Sequence, residues 1–180
     1  MDNQLKVWTT VGSAGALNQT DLAKVSLHQS VIQLGAELFP QASTKVATAQ
    51  VATPPHLGLN LPTIQAVVRY NVTPVDGLFI EGKFKYQLQV RFRGRITAKL
   101  MQVDPENGTE TQLILFDSNS FPPKPNFQVQ SVSAKNDSLL LDFINKAYYV
   151  EATLIAPELV IGNPAAISII KVIASPDFSG

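Results

Sequence analysis

A stretch of strict alternation between apolar and polar residues, Lys83 to Arg93, constrains the fold more than any other part of this chain. One parity is apolar and the other polar: Phe84, Tyr86, Leu88, Val90 and Phe92 against Lys83, Lys85, Gln87, Gln89, Arg91 and Arg93. Successive side chains of a strand point to opposite faces of a sheet, so one face would lie in a core and the other in water. A helix has a different period and cannot sort these residues in this way. The stretch predicts a half-exposed strand of an antiparallel sheet.

The same period recurs along the chain and predicts an all-β fold. Further strands are predicted at Gln4–Val11, Val25–Leu34, Lys45–Ala52, Ile64–Thr73, Arg95–Val103, Thr109–Phe116, Phe127–Ala134, Ala147–Ile155 and Ala166–Ala174. Helical signal is confined to a turn through Asp21–Lys24 and to Leu139–Lys146, which fits either a strand or one or two helical turns. We therefore expect a single antiparallel β-sandwich over residues 1–180, with a jelly roll as one form of it and at most one or two short helices.

Composition excludes several classes of function. Fourteen basic and fourteen acidic residues cancel, so no net field attracts nucleic acid or an anionic membrane surface. The chain has no cysteine, which removes disulfides, thiolate nucleophiles and zinc–thiolate sites. No phosphate-binding glycine motif is present, so no cofactor is expected. The N-terminus lacks the pattern of a signal peptide and no apolar run is long enough to span a bilayer. A cytoplasmic location is the expectation.

Low charge and two-sided apolar strands favour a role in assembly. Charged residues make up 16% of the chain, against about 25% in typical soluble domains. The ranges Leu113–Phe116, Val150–Ile155 and Ala166–Ile173 place apolar side chains on both faces, and such strands need cover on both faces. Helices are scarce, so loops or another subunit must supply that cover. We expect a non-enzymatic structural protein that acts by self-association, as a homo-oligomer, or by binding a partner protein. The segment Asn145–Tyr149, which leads into a late strand before an apolar final strand, resembles the ends of jelly-roll assembly domains.

A row of cations is the main candidate for ligand binding. The residues concerned are Lys83, Lys85, Arg91 and Arg93, with Arg95 following at the same parity beyond a predicted bulge at Gly94. One interpretation is a groove for phosphates or sulfated sugars. The other is a solvated face whose cations pair across strands with carboxylates. The candidates are Glu81, Glu106, Glu110, Glu151 and Asp142, and neighbouring Arg69 lies on the polar side of the preceding strand. No aromatic residue is interleaved on this face, which weakens the first interpretation.

Trp8 is a second candidate for ligand binding. If the first strand is exposed, its indole could stack on a sugar ring, although simple packing is the commoner role of such a residue. Together with the cation row it defines the alternative function, a carbohydrate- or polyanion-binding module.

Metal binding and hydrolysis form the third alternative. Asp104, Glu106, Asn107 and Glu110 lie close together and offer oxygens that calcium prefers, but Pro105 interrupts the usual loop pattern. A hairpin turn through Asp104–Gly108 explains the same residues without a ligand. The two histidines, His28 and His56, would need carboxylates brought in by folding to support a metal-dependent hydrolase. A non-enzymatic role is therefore favoured over an enzyme.

Overall fold

A computed structural model describes residues 6–17, 19–22, 24–28, 30–34, 63–74, 84–135, 139–157 and 164–176. The predicted strand Lys45–Ala52 and the candidate Lys83 lie outside these residues. The strands are β1 Lys6–Val11, β2 Ala16–Leu17, β3 Val25–His28, β4 Val31–Leu34, β5 Thr63–Val72, β6 Phe84–Arg93, β7 Arg95–Val103, β8 Glu110–Asp117, β9 Gln128–Ser133, β10 Ala147–Pro157 and β11 Ala166–Pro176. The described helical segments are α1 at Gln19–Leu22 and short 3-10 turns at Gly12–Ala14 and Ser118–Ser120.

The strands form two antiparallel sheets that pack face to face. Sheet A contains the path β3-β4-β11-β6-β9 with β1 beside β11, and sheet B has the order β2-β5-β10-β7-β8. The antiparallel partners nest in the chain: β7 pairs with β8, β6 with β9, β5 with β10 and β4 with β11. Successive nested pairs fall in opposite sheets, which is the wrapping of a jelly roll. The prediction of an all-β antiparallel sandwich is confirmed.

The strict alternation along β6 decides which of its side chains fill the core. Tyr86, Leu88, Val90 and Phe92 are each at most 1% exposed and face the other sheet. Each such buried side chain contributes about 1.5–3 kcal/mol relative to an exposed one. The opposite sheet fills the same space with the inner residues of its own strands, among them Ile96, Leu100, Phe116 and Leu154.

Trp8 lies in this core, so the expectation that its indole is exposed for stacking on a sugar ring is wrong. Its side chain is 6% exposed and lies opposite Val172 in the β1–β11 pair. Val7 and Val11 take the outer face instead. Alternation shows that even- and odd-numbered residues of a strand lie on opposite faces, but it does not show which face is buried. In β1 both faces carry apolar residues, so the pattern could not identify the inner one. A sugar ring has no access to the indole.

Gly94 is a corner between the two sheets rather than the predicted bulge within one strand. Strand β6 ends at Arg93 in sheet A and β7 begins at Arg95 in sheet B. Gly94 has a φ of 73°, a left-handed conformation that glycine adopts at little cost. The expected single row of cations is therefore wrong, because Arg95 belongs to the other sheet.

Two weaker expectations also change. The range Val25–Leu34 forms the hairpin β3–β4 rather than one strand, and the described residues of Leu139–Lys146 form turns without a strand or helix. Strand β11 has a register shift between Ile167 and Ile169. That shift lets Ile167 face inward while Ile169 faces outward.

Within the described ranges, no helix has the length and hydropathy needed to cross a bilayer.

Buried tyrosines make the fold sensitive to alkaline pH. The Tyr70 hydroxyl donates to the carbonyl oxygen of Gly12 at 2.8 Å, and burial raises the pKa of Tyr70 above its ordinary value. Burial also raises the pKa of Tyr86 and of Tyr148. The folded-state pKa values exceed the unfolded value of about 10, so the unfolded chain loses protons first as the pH rises. Their contribution to stability is complete below about pH 10 and is lost as the pH rises beyond it.

We therefore expect the urea midpoint of unfolding to fall steeply above about pH 10. The variant Tyr70→Phe is the matched control: at neutral pH it should lose about 1 kcal/mol with the hydrogen bond to Gly12. Above pH 10 it should lose less stability than the wild type, because one titrating group is gone. Parallel losses in the two proteins across that range would contradict the role given to Tyr70.

Candidate functional site

The outer face of sheet A brings cations and apolar side chains together in cross-strand rows. Directly opposite residues of an antiparallel pair share a face. One row holds Val11, Ile169, Arg91 and Val129, the next holds Thr9, Lys171, Gln89 and Ser131, and a third holds Val7, Ile173, Gln87 and Ser133. We call this surface the cationic face, and its basic residues are Lys85, Arg91, Arg93 and Lys171.

The apolar members of the cationic face are open to solvent. Val7 is 40% exposed, Val11 39% and Val129 52%, while Ile169 and Ile173 are half-buried. They lie in rows at one end and in the middle of the sheet rather than as scattered single residues. Contiguous exposed apolar surface with a polar surround is typical of an interaction site.

Arg91 and Arg93 are held against an aromatic ring. The guanidinium carbons lie 5.0 Å and 5.2 Å from the centroid of the Phe127 ring, within the range of cation–π attraction. Arg91 also donates to the Ser168 hydroxyl at 3.1 Å, and Arg93 donates to the Pro164 carbonyl at 3.3 Å. Phe127 was not identified from the sequence, because it precedes β9 and reaches the two arginines only through the β6–β9 pairing.

In the part of the chain that the structure describes, carboxylates are segregated from the cationic face. None of the described ones lies on this face, and no ion pair joins one of them to Arg91 or Arg93. Pairing of a cation with a carboxylate across strands does occur on sheet B, where Nη2 of Arg69 lies 2.9 Å from Oε2 of Glu151. There Arg69 also covers the Tyr149 ring at 5.1 Å.

The β7–β8 connection, Asp104–Gly108 together with Glu110, is an acidic hairpin with a rigid turn. Oδ1 of Asp104 accepts from the Glu106 amide at 3.0 Å, and Oδ2 accepts from the Lys146 ammonium at 2.6 Å. The Lys146 hydrogen bond, helped by the Glu106 amide, holds the pKa of Asp104 below its usual range. Glu106 and Glu110 are exposed, and a Cβ on Gly108 would have no neighbour within 4 Å. The turn therefore projects into open solvent with the Glu106 carboxylate outward, whereas the Glu110 carboxylate interacts with the Tyr149 hydroxyl and with Arg69.

These contacts leave the calcium interpretation without a free set of oxygens. Asp104 is engaged by Glu106 and Lys146, and the side-chain Oδ1 of Asn107 accepts from the Thr109 amide at 2.8 Å. In the part of the chain that is described, no group of three or more histidines or carboxylates could hold a metal ion. His56 and the side chain of His28 lie outside that part.

Arg91 and Arg93 lie at the opposite end of the sandwich from the acidic hairpin. Arg93 and Arg95 flank the corner at Gly94, where β7 begins, and the hairpin follows the other end of β7. Strand β7 has 9 residues, which span about 30 Å at the usual rise per residue. One molecule therefore cannot bring the two charges together by itself.

Arg95 lines a separate cleft beside the same corner, which we call the corner cleft. Its volume is ≈ 330 Å³. The loop after the Ser118–Ser120 turn and the start of β9 form its walls, with Phe121, Lys124 and Gln128 among the lining residues. The Phe121 ring stacks on Phe116 with centroids 5.3 Å apart. Arg95 stands out in the sequence but its partners in the cleft do not, because they come from separate segments that include a turn and a proline-rich loop.

Comparison with known proteins yields weak structural similarities only. No protein-family model and no curated protein matches the chain. Among solved structures, a cyclase from Fischerella sp. TAU is 12% identical with a TM-score of 0.39, and the match covers 64% of this chain and 58% of that one. The enzymatically active domain of tailspike protein 4 from bacteriophage CBA120 is 14% identical with a TM-score of 0.39, covering 96% of this chain and 19% of that one.

A Clostridium thermocellum endo-1,4-β-D-xylanase in complex with xylohexaose is 13% identical with a TM-score of 0.31, and the match covers 69% of this chain and 26% of that one. The chain thus spans less than two thirds of each of these proteins. Similarities at this level assign neither an activity nor a ligand to it.

Proposed function

We propose that this protein is a non-enzymatic assembly protein that associates with further copies of itself in a head-to-tail manner. The acidic hairpin of one copy would bind the cationic face of the next. The observation that carries the proposal is the segregation of charge among the described residues. The cationic face holds exposed apolar rows and no described carboxylate, and the acidic hairpin projects at the end of the sandwich away from Arg91 and Arg93. The predicted cytoplasmic location and the predicted lack of a cofactor remain part of this proposal.

Charge complementarity selects a second copy in this orientation. Two cationic faces placed against each other would set Arg91 and Arg93 against like charges, which is unfavourable. The chain carries no net charge, so separated copies have no long-range repulsion to overcome. A contact between two different surfaces repeats from copy to copy and closes into a ring or extends as a filament.

The expected affinity is modest. Exposed ion pairs contribute about 0–1 kcal/mol each, so the apolar rows around Val7, Val11 and Val129 must supply much of the binding free energy. Buried apolar surface contributes about 25 cal/mol per Å² before the costs of association are subtracted. We therefore expect dissociation constants in the micromolar range, weakened by salt.

Sedimentation velocity tests the proposal. At about 20 mM salt the wild type should form species larger than a monomer as its concentration rises to about 300 micromolar, and about 500 mM salt should dissociate them. The variant Val129→Ser should weaken association, because it removes exposed apolar surface from the cationic face. Leu115→Ser is the matched control, since Leu115 is 45% exposed on sheet B. A monomer under all conditions would refute the proposal.

A second candidate function rests on Arg91, Phe127 and Arg93. Two cations that flank an aromatic ring, without a described carboxylate partner, suit sulfated or phosphorylated polymers. This function would be favoured over self-association if the monomer is retained on heparin. Salt should lower that retention, and the double variant Arg91→Gln/Arg93→Gln should abolish it. Absence of retention at low salt would remove it.

A further inference from the structure

The corner cleft has the size and the walls of a small-molecule site. At ≈ 330 Å³ it lies at the lower end of the range of about 300–1,000 Å³ that such sites occupy. Phe92 forms part of its apolar lining and is fully buried. Phe121 lines it as well and is half-buried, with one ring face already stacked on Phe116. Because Phe121 is only half-buried and lines the cleft, part of its side chain is available to an apolar group there.

The charged groups of the cleft are of one sign. Arg95 and Lys124 line it, both exposed at its rim. No aspartate or glutamate is among its lining residues. An occupant with a carboxylate would gain charge-assisted hydrogen bonds there, which are roughly twice as strong as neutral ones.

A buried amide in the cleft keeps unused hydrogen-bonding capacity. The Gln128 side chain belongs to a residue that is 7% exposed. Its Nε2 donates to the Pro122 carbonyl at 3.4 Å, and its Oε1 accepts from Gln130 at 3.4 Å. Both distances exceed the usual range of about 2.7–3.2 Å. An amide offers two donors and two acceptor positions, so Gln128 can orient the polar part of a ligand.

The geometry points to a binding site in the corner cleft for a small organic carboxylate attached to an apolar ring. Arg95 and Lys124 receive the carboxylate, Phe121 contacts the ring, and Gln128 fixes its orientation. This site is independent of the cationic face, which lies on the outside of sheet A. Self-association and ligand binding can therefore each fail without the other.

Matched probes test this assignment on the full chain by amide NMR titration. Benzoate carries both the ring and the charge, whereas benzamide lacks the charge and acetate lacks the ring. We expect benzoate to saturate the signals of Arg95, Asn119 and Gln128 in the low-millimolar range, roughly tenfold more tightly than either of the other two probes. Arg95→Gln and Lys124→Gln should each weaken benzoate roughly tenfold, and Lys99→Gln on the outer face of sheet B should leave it unchanged.

Three results would overturn the assignment. The first is no saturation by benzoate up to about 20 mM, which is too weak for a formed site. The second is equal binding of benzoate and acetate, which would show that the ring makes no contact. The third is unchanged benzoate affinity in both Arg95→Gln and Lys124→Gln, with folding of the variants verified by their unperturbed amide spectra.

Discussion

Replacing Phe116 by alanine is expected to lower the free energy of unfolding by about 3–5 kcal/mol. The Phe116 side chain is 0% exposed. Its ring meets Phe92 edge-on and stacks on Phe121, with both centroid distances at 5.3 Å. Alanine would leave a cavity between the two sheets at the corner end of the sandwich, where rigid strands on both sides limit collapse. Urea denaturation followed by far-UV circular dichroism measures the loss.

The neighbouring residue supplies the matched control. Leu115 is 45% exposed on the other face of β8, so Leu115→Ala should change the free energy of unfolding by about 0.5 kcal/mol or less. The two residues are adjacent in the sequence and lie on opposite faces of β8. Similar losses in the two variants would show that β8 does not present Phe116 inward and Leu115 outward.

Gly12→Ala is the second substitution with a large expected effect. A Cβ at this position would lie 2.0 Å from the carbonyl oxygen of Ile167 and 3.0 Å from the backbone nitrogen of Ile32. Gly12 lies where β1 ends beside β11, at the boundary with the β4–β11 pair. Backbone atoms cannot move aside as a flexible side chain can, so we expect a loss of about 3 kcal/mol or more.

Gly108→Ala separates this clash from the general effect of replacing a glycine. Gly108 has a φ of 71°, but a methyl group added there would meet no atom within 4 Å. Left-handed backbone alone costs an alanine about 1–2 kcal/mol. A larger loss in Gly108→Ala than in Gly12→Ala, measured by the same denaturation, would contradict the close approach of β1, β4 and β11.

The sequence was sufficient to predict which segments form strands. It was not sufficient to predict how those strands pair or which of their faces is buried. The predicted strand Arg95–Val103 coincides with β7 at both ends. The alternation of β6 correctly identifies Tyr86, Leu88, Val90 and Phe92 as core residues. Trp8 and Gly94 were misplaced for one reason: alternation separates two faces but does not say which sheet follows or which face turns inward. Those choices depend on pairing between distant strands, such as β1 with β11, and a local pattern carries no information about it.

The candidate sites show the same limit. Arg91, Arg93 and Arg95 could be singled out from composition and spacing alone. Their division between the cationic face and the corner cleft depends on the turn at Gly94 and on the loop that precedes β9. Phe127 reaches the arginines through the same loop. Arg69 does pair with Glu151, one of five carboxylates that the sequence offered as cross-strand partners, because both residues lie on adjacent long strands and share a face.

Complementary variants in sedimentation velocity test head-to-tail association most directly. Arg91→Gln/Arg93→Gln removes charge from the cationic face, and Glu106→Gln/Glu110→Gln removes it from the acidic hairpin. Each variant alone should remain monomeric where the wild type associates. An equal mixture should form dimers and no larger species, because one intact face meets one intact hairpin. Wild-type association in either variant alone, or a mixture that stays monomeric while the wild type associates, would contradict the account.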